Sequence, residues 1–116
     1  MCEAVSLIRM GNLIGKGIKL RVQCKTSKDD GDRDTGSRDL PYLATCQFKP
    51  IAGNKVYKCM AEWSNKYRYS FDINTPKRAK YDKNCWAFKS SGPCLCDCKN
   101  AACTYNDDCY HWDYRW

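Results

Sequence analysis

Cys94, Cys96, Cys98 and Cys103, four thiols within ten positions, form the densest set of reactive side chains in this sequence. Sulfurs gathered this closely either hold a soft metal ion or pair into disulfides. In an extended segment Cys94, Cys96 and Cys98 share one face, so three thiolates could converge on zinc with Cys103 as fourth ligand. Zinc knuckles are usually built from paired C-x-x-C units, and no C-x-x-C occurs here. Cys2, Cys24, Cys46, Cys59, Cys85 and Cys109 bring the total to ten cysteines in 116 residues. An even count at that density, spread from Cys2 to Cys109, reads as a disulfide framework made in an oxidising compartment. All ten are therefore expected in disulfides, with connectivity open, and no metal or other cofactor is expected.

The remaining chemical candidates are weaker. His111 is the single histidine, and nucleophilic catalysis would need a thiolate beside it and an orienting group behind it. Oxidised cysteines cannot supply that thiolate. Glu62 has no evident carboxylate partner, so no acid/base pair and no catalytic residue is assigned. Asp30-x-Asp32-x-Asp34 begins like a calcium loop, but Gly36 falls one residue late and Pro41 stands where the bidentate glutamate belongs. Gly15-Lys16-Gly17 lacks the spacing and hydroxyl of a phosphate loop. Lys66, Tyr67, Arg68 and Tyr69, followed by Lys77, Arg78, Lys80, Tyr81 and Lys83, mix cations with rings as single-strand nucleic-acid binders do. Strand alternation sends Tyr67 and Tyr69 inward with Phe71 and leaves the cations outside without their rings, so no nucleic acid is expected.

The elements that position these groups are strands. Ile18, Leu20, Val22 and Cys24 alternate with Lys19, Arg21 and Gln23, the pattern of a half-buried strand. Tyr67, Tyr69, Phe71 and Ile73 repeat it. Shorter strands are expected at 5–10, 46–48, 56–59 and 86–88, with Gly11-Asn12 as a turn, 25–39 as a polar loop, and a turn at 50–54. Six or seven short strands separated by turns predict an all-β fold, a small disulfide-stabilised antiparallel β-sandwich, as a single domain over residues 1–116 with a cysteine-rich segment at 94–112.

Several segments, in order, resemble the plant self-incompatibility S-proteins and their homologues. Leu20-Arg21-Val22-Gln23-Cys24-Lys25 runs through Lys28-Asp29-Asp30 much like the family's "L-x-V-x-C-K-S-K-D-D". Phe48-x-Pro50, Val56-Tyr57-Lys58-Cys59 and Trp63 are similar to its "F-x-P…F-x-C…W". Phe71-Asp72-Ile73 with Lys77-Arg78, Trp86-Ala87-Phe88 with Gly92-Pro93-Cys94, and the terminal Cys109-Tyr110-His111-Trp112 extend the match over residues 5–112. Of the family's paired cysteines before the tryptophan only Cys85 is present, and Cys2, Cys46, Cys96, Cys98 and Cys103 have no counterpart. The resemblance implies a secreted signalling ligand, not an enzyme, that meets a protein receptor at a cell surface through interstrand loops. The residues expected there are Asp29, Asp30, Asp32, Arg33, Asn54, Lys55, Lys77 and Arg78. The alternative is a secreted effector or toxin acting on a host, with zinc in the C-terminal cysteine cluster.

A net charge of +7, with eight basic against three acidic side chains in residues 55–83, can attract acidic or anionic partners. A solvated face that keeps the protein soluble is the preferred reading, and the charge names no partner. No apolar run approaches the roughly 18 residues of a membrane span, and a monomer is expected. Met1-Cys2-Glu3-Ala4 shows no basic segment leading into an apolar one. The expectation is therefore that a secretion signal has been removed and that Met1 is not native to the mature chain.

Overall fold

A computed structural model describes residues 5–26, 34–50, 56–99 and 108–115. Among the described residues lie ten strands and no helix. They are β1 (Leu7–Asn12), β2 (Leu20–Lys25), β3 (Arg38–Leu40), β4 (Thr45–Phe48), β5 (Tyr57–Trp63), β6 (Tyr67–Ile73), β7 (Lys83–Lys89), β8 (Gly92–Asp97), β9 (Asp108–Cys109) and β10 (Tyr114–Arg115). One sheet has the order β4-β1-β7-β8-β9 and the other β10-β6-β5-β2-β3. Every pairing is antiparallel except β1 with β7, which run parallel; of the strands between them β2, β3, β5 and β6 belong to the other sheet and β4 pairs with the far edge of β1.

The alternation read from the sequence holds the two sheets together. Leu20, Val22 and Cys24 of β2 turn inward, as do Tyr57, Cys59, Ala61 and Trp63 of β5 and Phe71 and Ile73 of β6. They meet Ile8 and Met10 of β1 with Trp86 and Phe88 of β7. Phe71 lies 5.4 Å from Trp86 and 5.3 Å from Phe88 between ring centroids. Each such side chain withdrawn from water contributes about 1.5–3 kcal/mol.

Three departures from the sequence reading have physical causes. Gly11 and Asn12 continue β1 and form no turn. Asn12 is fully buried, its amide donates to the Ile18 and Leu40 carbonyls at 2.7 and 2.8 Å, and its oxygen accepts the Ile14 N–H at 2.9 Å. β3 takes the last two residues of the polar stretch expected to be loop, Arg38 and Asp39, with Leu40 beyond it, an edge strand that buries only Leu40. β7 is longer than expected and buries Asn84 to Phe88 without a break, because β1 and β8 cover both its edges and disulfides lie on its outer side.

The turns carry strain where chemistry requires it. Between β5 and β6, Ser64 (φ 58°) and Asn65 (φ 50°) are the left-handed central residues of a turn that the Lys66 N–H closes on the Trp63 carbonyl at 3.3 Å, a geometry that suits the twist of a tight hairpin. Gly92 (φ 144°) opens β8, where an added Cβ would fall 1.9 Å from the Tyr110 carbonyl oxygen. Leu43 sits at φ 71° between β3 and β4, a conformation that costs a non-glycine residue about 1–2 kcal/mol.

Candidate functional site

Cross-strand register decides which cysteines meet. Cys24 and Cys59 stand directly opposite one another on β2 and β5 and form a fully buried disulfide with Cα atoms 4.0 Å apart. Cys94 and Cys109 do the same between β8 and β9, also at 4.0 Å, on the outer side of the first sheet. Cys85 of β7 faces Cys96 in register but bonds diagonally to Cys98, at a Cα distance of 5.1 Å. Cys96 is disulfide-bonded too. The zinc alternative needed free thiolates at Cys94, Cys96 and Cys98, and all three sulfurs are oxidised.

Cys46 corrects the expectation that all ten cysteines pair. It is a free thiol on β4, opposite Met10, where the ladder brings no cysteine across from it. Burial pushes its pKa up, with Arg38 nearby pulling the other way, so the reactive thiolate is disfavoured. Cys2 and Cys103 lie outside the described residues.

The loop residues expected to meet a receptor divide into three groups. Asp29, Asp30, Asp32, Arg33, Asn54 and Lys55 lie outside the described residues. Lys77 is exposed at the tip of a turn whose Arg78 and Ala79 N–H groups donate to the Thr75 carbonyl at 2.9 and 2.8 Å. Arg78 is enclosed instead, its side chain only 14% exposed. Its guanidinium forks onto both Asp113 oxygens at 3.0 Å, donates to the Asp72 carbonyl and lies 4.9 Å from the centre of the Tyr110 ring. The Asp113 carboxylate also accepts the Asp72 N–H at 2.8 Å. Arg78 therefore clamps the C-terminal segment to β6, a position that no local motif announces because its partner is 35 residues away.

The rings of the basic stretch are occupied. Tyr69 stacks on Trp63 at 5.3 Å and on Trp112 at 5.3 Å, and Tyr67 stacks on Trp63 at 5.5 Å. Lys66 lies over Tyr67 at 5.5 Å. His111 is exposed, and its neighbour Cys109 is tied to Cys94, so that sulfur offers the histidine no thiolate to activate. Asp34, last of the acidic run, accepts from Gln23 at 2.9 Å and from the Gly36 N–H at 2.8 Å, and these hydrogen bonds hold its pKa below the usual carboxylate value.

Sequence reading missed a charge ladder on the outer face of the second sheet. Asp39, Arg21, Glu62 and Arg68 stand in one row across β3, β2, β5 and β6, with signs alternating. Arg21 bonds Asp39 at 3.0 Å and Arg68 bonds Glu62 at 3.2 Å. The hydrogen bond from Arg21 holds the Asp39 pKa down. The signal was present in the sequence as outward positions of alternating strands, but pairing them required the register. Gly17, Lys19, Asn65 and three ladder residues (Arg21, Asp39 and Glu62) line an open polar recess of about 310 Å³. The ion pairs of the row are solvated, so they add little to stability.

The family model for plant self-incompatibility protein S1 matches residues 7–116. No curated protein and no solved structure matches the chain.

Proposed function

The chain belongs to the plant self-incompatibility protein S1 family, and from that membership we propose that it is a secreted signalling ligand recognised by a protein receptor at a cell surface. The observation that carries this reading is the family match over nearly the whole chain. The cross-strand disulfides support it, since such bonds persist outside the cell. A scaffold pinned between strands also presents its loops with little conformational entropy left to lose on binding. Among the described residues no helix is long and apolar enough to cross a membrane.

In this reading the protein acts as a monomer without catalysis, and contact falls on exposed loop residues. Lys77 serves as one of them, and Asp29, Asp30, Asp32, Arg33, Asn54 and Lys55 are proposed as further contacts. Arg78 positions the Lys77 turn and does not touch the receptor. Fluorescently labelled, oxidised protein added to plant protoplasts should bind saturably, and brief protease treatment of the cells should abolish the signal. Binding that never saturates, or that survives protease, would exclude a protein receptor.

A further inference from the structure

Tyr42 and Leu43 form the tip between β3 and β4, and they are 39% and 63% exposed. Only two other large apolar side chains among the described residues, Val56 and Tyr114, are comparably open to water. Leu43 is also the residue held in the left-handed region. The turn is fixed there by hydrogen bonds: the Leu43 N–H donates to the Asn12 carbonyl at 2.9 Å and the Ala44 N–H to the Pro41 carbonyl at 2.9 Å. A glycine would take this backbone without strain. The leucine side chain adds little to the core at such exposure, yet it is displayed on strained backbone, and strain of this kind gathers at ligand contacts.

A recess opens at the foot of this leucine. On the outer face of the first sheet Gly11 of β1 lies opposite Ala87 of β7 and Thr45 of β4. These small residues leave a hollow of about 190 Å³, walled by Leu13 and Leu43 and rimmed by Arg9. A Cβ on Gly11 would come 3.2 Å from the Thr45 methyl, so glycine keeps the floor low. The Arg9 guanidinium donates to the Gln47 amide oxygen at 3.1 Å and enters no ion pair among the described residues.

An exposed apolar lip, a mostly apolar hollow and a cation at its rim with no ion pair among the described residues match one kind of partner. We propose that Leu43 and this hollow are the docking point for the receptor, through a segment that inserts a leucine-sized apolar side chain and sets an adjacent carboxylate against Arg9. The proposal rests on the receptor reading and adds a contact at the end of the strands away from Lys77, since Leu43 bonds Asn12 beside Phe88 whereas Lys77 precedes Lys83 at the other end of β7. The net charge of +7 draws the protein toward such an acidic segment.

The test is a titration of ¹⁵N-labelled protein with three acetylated, amidated tripeptides: Glu-Leu-Glu, Glu-Gly-Glu and Lys-Leu-Lys. The expected result is saturable shifts at the amides of Gly11, Leu43, Thr45 and Ala87 with Glu-Leu-Glu, and affinity about tenfold weaker or worse for the other two. Leu43→Gly should keep or raise the melting temperature while weakening Glu-Leu-Glu about tenfold, which separates docking from folding. Arg9→Gln should weaken the same peptide and flatten its salt dependence. Shifts that do not saturate, equal response to Glu-Gly-Glu, or wild-type affinity in Leu43→Gly would overturn the docking point. On protoplasts, equal binding of Leu43→Gly and wild type overturns the docking point and leaves the receptor reading standing. Failure of the wild type to bind removes both.

Discussion

The Arg78 guanidinium commits its donors inside the protein, to Asp113 and the Asp72 carbonyl, with its face against Tyr110. Charge-assisted, partly buried bonds of this type are the strong ones, so Arg78→Ala should cost about 2–3 kcal/mol in urea denaturation. Exposed Lys77, next to it, should change stability by less than about 0.5 kcal/mol when replaced by alanine. The clamp carries a pH signature. Its Arg78 hydrogen bonds first, and the Asp72 N–H after them, hold the Asp113 pKa below its unfolded value. A group depressed in the folded state stabilises fully above the unfolded pKa, near 4, and loses that contribution as pH falls through the lower folded value. Denaturation midpoints measured from pH 7 down to about pH 2 should therefore drop less steeply in Asp113→Asn than in wild type. A second position leaves no room to adjust. Gly92→Ala would place a Cβ against the Tyr110 carbonyl oxygen, backbone against backbone, and should cost about 3 kcal/mol or prevent folding.

At the scale of elements, two cross-strand disulfides with the same Cα spacing have different surroundings. Cys24–Cys59 bridges the interior with a sequence separation of 35, whereas Cys94–Cys109 spans 15 and ends at exposed Cys109 on the short strand β9. Loop-closure entropy gives about 4 kcal/mol for the first and about 3 for the second. Under a mild thiol reductant, differential alkylation and mass mapping should find Cys94 and Cys109 labelled while Cys24 and Cys59 stay protected. Simultaneous labelling of both pairs would mean that the buried bond opens by global unfolding. Alternation made β2 and β6 legible from sequence, since their inward residues recur every second position. β8 was not legible, because Gly92-Pro93 looks like a turn and its cysteines, expected in disulfides, name no partner until Cys96 is seen opposite Cys85. The pairing of cysteines and the charge ladder were hidden for the same reason. Both depend on register between strands far apart in sequence, and period-two patterning says which face a residue takes, not whom it meets.

For the whole molecule, the proposed recognition at a surface rests on the family match and the disulfide-pinned sandwich, and the charge of +7 offers a trivial competitor. A basic protein adheres to anionic membranes and walls through screened electrostatics alone. Specific docking of an apolar lip into a receptor should be much less sensitive to salt. Salt from about 0.15 M to about 1 M shortens the screening length from about 8 to about 3 Å, which removes most non-specific attraction. The decisive measurement is equilibrium binding of labelled, fully oxidised protein to plant protoplasts across that range, with unlabelled protein and polylysine as competitors. A receptor ligand predicts saturable binding that persists at high salt and yields to unlabelled protein but not to polylysine. Binding that vanishes with salt and yields equally to polylysine would contradict the account, leaving a cation on an anionic surface and no receptor.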